Sequence, residues 1–293
     1  MNKKKLGIFA LSLGVSASVL LTSALSVKAG NASGYDQYKA ALKQTKAVEN
    51  LTGNLDLSIQ DNGKKLFTVD STIRRDLKNH AGNGKINIEA NGKKQTLEVY
   101  HQENKKIMKA SNSEIYYVMN EKEKKVHHKS GDRAQKAEFV IDALMSGLRN
   151  DIQSVNRTDG SKEVSLNLSE GQISPVVQAL VSILVQNAAG HEPDRGHHGA
   201  PFFKGELKPD LPELTRDIKI KQVNIKAEIN KENRIEEQTA QVLVTGKDAA
   251  GKEHQLTIRI RLDLSQFNHT VMDKVDLTGK KVKTFEPKAR QDW

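Results

Sequence analysis

Leu256-Thr257-Ile258-Arg259-Ile260-Arg261-Leu262-Asp263-Leu264 alternates apolar and polar side chains without a break. Successive side chains of an extended strand point to opposite faces, so this stretch is a strand with one face in a core and the other in water. The segment before it has the same period with one slip. Ile218 and Ile220 fall on one phase, whereas Val223, Ile225, Ala227 and Ile229 fall on the other, which predicts a bulge near Lys221-Gln222. A strand around Ala240, Val242 and Val244 joins these two through turns at Asn230-Lys231-Glu232-Asn233 and Asp248-Ala249-Ala250-Gly251. Three long strands therefore make a closing meander.

The same period runs through the first part of the chain. Leu55, Leu57 and Ile59; Phe67, Val69 and Ile73; Ile86, Ile88 and Ala90; and Leu97 and Val99 mark successive half-buried strands. Asp61-Asn62-Gly63, Asn83-Gly84 and Asn91-Gly92 supply residues that tolerate positive φ and are expected to turn between them. Further strands are expected at Lys106 to Ala110, Glu114 to Asn120 and Lys124 to His128, and another at Val164, Leu166 and Leu168.

Helical spacing occurs three times. Tyr35 to Asn50 reads as a short amphipathic helix ending near Gly53. Asp132 caps a second, whose Ala137, Val140, Ile141, Leu144 and Leu148 form one buried face. Ser174 and Pro175 open a third, running to Ala188. There is no charge between Gly171 and Gly190. Val176, Val177, Leu180, Val181, Ile183, Leu184 and Val185 cover most of the circumference of this helix, and Ser174, Gln178, Ser182 and Gln186 form one narrow polar row. Such a helix is either a central core element or a plug over an apolar ligand cavity lined by Val177, Leu180, Val181, Leu184, Ile141 and Leu144.

His191 to Leu214 is rich in glycine and proline and reads as a long exposed loop. His191, His197 and His198 within it are candidate metal ligands, although a glycine-rich loop loses much entropy on ordering around an ion.

Residues 1–29 have the form of a secretory leader: Lys3, Lys4 and Lys5, an uncharged run from Leu6 to Val27, then Val27-Lys28-Ala29, with cleavage expected after Ala29. The alternative is an uncleaved anchor, since the run is long enough to span a bilayer. The expected organisation is a leader over 1–29, a single α+β domain over 30–279 and a basic tail over 280–293. Removing the four lysines of the leader from a formal charge of +10 leaves +6. The chain has no cysteine, which rules out disulfides and a lipid-modified N-terminal cysteine.

Nucleic acid is not an expected partner, because there are few aromatics for stacking and no recognised binding module. Contact with a membrane surface or wall polymer is open to the interspersed lysines. No Gly-x-Ser-x-Gly elbow, His-Glu-x-x-His or phosphate loop occurs, so no catalytic residue and no cofactor is assigned.

The order of these elements resembles the LolA and LppX type of lipoprotein carrier. That resemblance implies a large curved antiparallel sheet, an incomplete barrel, with helices packed on its concave face, where acyl chains are held. In its lysine-rich start and its Asp276-Leu277-Thr278-Gly279 ending the chain also resembles uncharacterised exported proteins of Gram-positive spore-forming bacteria. The expected function is that of an exported non-enzymatic protein holding a lipid-like ligand between sheet and helix 174–188. The alternatives are a solid-cored module that senses or contacts an envelope protein, and metal capture by the His191 to His198 loop.

Overall fold

In the computed structural model the described residues are 33–120, 148–175, 178, 207 and 209–284. They form a twelve-stranded sheet with one α-helix. The strands are β1 (Asn50–Asp61), β2 (Lys64–Asp76), β3 (Ala81–Ala90), β4 (Lys93–Gln102), β5 (Lys105–Ala110), β6 (Tyr116–Asn120), β7 (Ile152–Asn156), β8 (Lys162–Ser169), β9 (Arg216–Ile229), β10 (Ile235–Lys247), β11 (Glu253–Ser265) and β12 (Val282–Thr284). Their order is β12-β6-β5-β4-β3-β2-β1-β11-β10-β9-β8-β7, so the sheet is open, with β12 and β7 at its edges. All pairings are antiparallel except β12 with β6.

Two meanders, β1–β6 and β7–β11, meet where β1 pairs with β11. Leu55, Leu57 and Ile59 face Leu262, Ile260 and Ile258 across that seam. The apolar face continues through Val69, Ile88 and Leu97 on one side and through Val242, Val223 and Leu168 on the other. The expected bulge is present: Gln222 pairs with Leu243 and Ile220 with Val244, leaving Lys221 as the extra residue. That extra residue returns Ile220 to the apolar face, where it is fully buried.

The turns at Asn62-Gly63 and Asn91-Gly92 have positive φ at both residues, as a tight hairpin requires. Asn83-Gly84 is a correction. It lies inside β3, and the chain turns earlier, over Leu77 to His80, where His80 takes the positive φ. The glycines serve packing instead. A Cβ on Gly82 would stand 2.6 Å from the Arg74 carbonyl oxygen, and one on Gly84 3.3 Å from that of Thr72.

Helix α1 (Gly34–Lys46) stops earlier than expected, because Asn50 already belongs to β1. Ser33 caps it, accepting from the Asp36 N–H and donating to the Asp36 carboxylate. Ala41 and Leu42 are fully buried against Val164, Ile229 and Ile235, placing α1 on the apolar face over β8–β10. Thr45 locks it there: its hydroxyl donates to the Ala41 carbonyl and accepts from the Ile235 N–H, each at 2.8 Å.

After β11 the chain crosses the opposite, polar face as a strap. Asn268 pairs with the backbone of Glu49 and Asn50, Asp273 with Arg74 and Asn83, and the Val275 backbone with both ends of the Gln102 amide. Val275 and Leu277 pack over Ile107 and Val118 before β12 covers the β6 edge.

Strand β7 has no counterpart in the sequence reading. The expected strand 124–128, the body of the second helix and the third except for Ser174, Pro175 and Gln178 lie outside the described residues, as do the leader and residues 285–293. Among the described residues, helix packing on the sheet is seen for α1, which sits on the apolar face.

Candidate functional site

The apolar face is unevenly covered. Leu207 and Leu211 pack on Leu57, Ile59, Phe67, Val69, Ile88 and Ala90, and Leu214 packs on Val244 and Leu256. Burying large aliphatic side chains in this way contributes about 1.5–3 kcal/mol for each one removed from water. Along β11, Leu256 and Leu264 at the two ends are buried, whereas Ile258, Ile260 and Leu262 between them are only half-buried. Their cross-strand neighbours Val242 and Ala240, and Ile225 beyond, are half-buried as well. These form one contiguous patch in the middle of the sheet.

Polar groups rim that patch. The Tyr38 hydroxyl donates to Gln238 at 3.1 Å, and burial, partly offset by that bond, pushes its pKa up to about 12. Ser71 faces Leu55 and Ile86 on the same face; it is 3% exposed and its hydroxyl has no partner among the described residues. Gln178, in the expected polar row of the third helix, is a structural tie. Its amide donates to the Ile218 carbonyl at 2.8 Å and accepts from the Ile220 N–H at 2.9 Å.

At one end of the face, His254 is buried between two carboxylates: Nδ1 lies 2.8 Å from Asp61 and Nε2 3.4 Å from Asp248. This cluster joins the β1–β2 turn to the β10–β11 turn. Sequence reasoning missed it because Asp61 and His254 are far apart in the chain. The Asp248 carboxyl is held below its usual range by the Lys252 N–H, which outweighs desolvation, with a smaller contribution from His254. Among the described residues no group of three His, Asp or Glu is placed to hold a metal.

The polar face carries a groove of about 660 Å³ crossing β2, β1, β11, β10, β9 and β8. Three registered rows of side chains run across these strands. The first is Thr72, Asn54, Asp263, Glu237, Glu228 and Glu163, and its carboxylates are paired with Arg261, Arg157 and Lys226. Burial works against the Glu228 charge, but bonds from Arg157 and Lys226 hold its pKa below the ordinary value. The second row sets Asp70 opposite Asp56, and Asp56 opposite Arg261. Desolvation, then hydrogen bonding with and repulsion from Asp70, raise the pKa of Asp56. The third row is Thr68, Ser58, Arg259, Gln241, Asn224 and Asn167, all lining the groove.

Of the residues singled out by sequence, Val177, Leu180, Val181, Leu184, Ile141, Leu144, His191, His197 and His198 lie outside the described residues. Leu148, at the end of the expected second helix, is buried against Leu166, Leu168, Ile220 and Val223.

No protein-family model matches the chain, and no curated protein matches it. Similar solved structures include these three. A LolA superfamily protein from Nitrosomonas europaea is 8% identical, with 82% of this chain and 95% of that one covered and a TM-score of 0.24. The ywiB protein from Bacillus subtilis is 9% identical, with 73% and 91% covered and a TM-score of 0.17. A porin-like protein from Bacteroides uniformis is 8% identical, with 75% and 98% covered and a TM-score of 0.20. At these identities and TM-scores no argument rests on the likeness.

Proposed function

We propose that this chain is a non-enzymatic binding protein that takes an apolar or amphiphilic ligand against the apolar face of its sheet. One observation carries the proposal. The patch of Ile258, Ile260, Leu262, Ala240, Val242 and Ile225 is less buried than the apolar residues around it. Sites for such ligands are apolar surfaces with a few placed polar groups, and Tyr38, Gln238 and the unpartnered Ser71 hydroxyl supply these. The leader read in residues 1–29 would place this binding outside the cytoplasm.

Uptake of a fluorescent fatty acid tests the reading, together with native mass spectrometry of protein isolated from its own membranes. A co-purifying lipid, and saturable uptake lost on Ile260→Asp in a variant that still melts cooperatively, are the expected results. Clean apoprotein with no uptake would end it.

A second reading, a solid-cored interaction module, is favoured by Leu207 and Leu211, which fill the face over β1–β3. It predicts that the Ile260→Asp variant fails to fold rather than failing to bind.

A further inference from the structure

The polar groove lies on the opposite face from the patch just described and has a chemistry of its own. Charges in the row through Glu237 and Glu228 are committed to one another, Arg261 and Arg157 each bridging two carboxylates. The row through Ser58 differs. It has four amide or hydroxyl side chains, Thr68, Ser58, Asn224 and Asn167, that make no side-chain hydrogen bond among the described residues. Between them Arg259 donates to Gln241 at 3.0 Å, which leaves further guanidinium and amide hydrogens to give. No carboxylate interrupts the row from Thr68 to Asn167, and beside it the groove is lined by charges of both signs, Asp56, Asp70 and Glu163 with Lys65, Lys226 and Arg261. It stops at Glu89 on one side, and on the other at Asn167, where the β7 pairing has ended.

Adjacent strands stand about 4.8 Å apart, so six strands present these groups over roughly 24 Å in a line across the sheet. A ligand that satisfies such a line must be extended, must repeat hydrogen-bonding groups at a similar interval, and must carry little net charge. We propose that this groove binds a neutral, linear polyhydroxylated chain, a glycan lying across the strands along Thr68, Ser58, Arg259, Gln241, Asn224 and Asn167. Each amide can both donate and accept, as a hydroxyl-bearing ring requires. Such contacts are weak singly and gain from repetition, since each net hydrogen bond contributes about 0.5–1.5 kcal/mol.

The test is calorimetric titration of the full chain with three neutral hexasaccharides, cellohexaose, chitohexaose and maltohexaose, and with the matching disaccharides. At least one hexasaccharide should bind saturably and roughly tenfold or more tighter than its disaccharide, with little change on raising salt. Asn224→Ala combined with Asn167→Ala should weaken it by roughly tenfold while thermal melting and fatty-acid uptake stay unchanged. Three outcomes would each overturn the proposal: no saturable binding of any of the three, equal affinity for hexasaccharide and disaccharide, or binding abolished by salt. Because the fatty acid is tested on the other face, either result stands whatever that experiment gives.

Discussion

The side chain of Gln178 takes the place of a missing strand beside Ile220. Strand β8 ends its pairing with β9 at Ser169, and beyond that point the Gln178 amide binds the Ile220 N–H and the Ile218 carbonyl as a neighbouring backbone would. Gln178→Ala should leave both backbone groups without their partner and lower stability by about 1–3 kcal/mol in urea denaturation. Amide exchange at Ile220 should speed up more than at Ile225, which keeps its strand partners on both sides.

Lys221 is the residue that allows both halves of β9 to face inward. Deleting it should turn Ile218 and Ile220 to the polar face, with a loss of about 3 kcal/mol or more on the transfer of buried aliphatic side chains. Lys221→Ala keeps the register and removes only an exposed ion pair with Glu170, so it should cost no more than about 1 kcal/mol. The contrast between the two denaturation midpoints checks the bulge.

Asp56 and Asp70 oppose each other across β1 and β2, and the pKa of Asp56 is raised in the folded state. Folding therefore binds its proton more tightly than the unfolded chain does. The resulting penalty is absent below the unfolded value of 3.8 and grows as pH rises through the folded value. Asp70→Asn, which keeps an acceptor for Asn87, should raise the melting temperature at pH 7 by the equivalent of about 0.2–1 kcal/mol. It should give no gain at a pH below 3.8.

His254 and Asp61 join two turns through a 2.8 Å bond that is largely shielded from water. Asp61→Ala should destabilise by about 1.5–3 kcal/mol, the usual range for a bond to a charged group. If thermal melts show the variant equal to the parent chain, the cluster does not hold the turns.

The long strands were legible because their faces differ. Leu256 to Leu264 alternates without a miss, and the slip at Lys221 appears as two phases of isoleucine and valine. Asn83-Gly84 misled because glycine has two uses. Here it lets β3 approach the Arg74 and Thr72 carbonyls, while the turn was made by His80, a residue with no turn signature. Strand β7 is short, with two apolar residues among five, and offered no period to read. The strap and the His254 cluster depend on partners some 170 to 220 residues away, which spacing along a chain cannot reveal. The groove row was hidden for the same reason: its six members come one from each of six strands and are aligned only by register.

The seam between β1 and β11 sets the order of assembly. Each meander can pair its strands locally as it is synthesised, but Leu57 meets Ile260 only after some two hundred intervening residues have been made. Until then both β1 and β11 are edges, apolar on one side and open to pairing with any other strand. Among the pairings of the described strands, that junction closes the longest loop, and non-local pairing of this kind slows folding and lengthens the interval in which the newly made chain can associate with copies of itself.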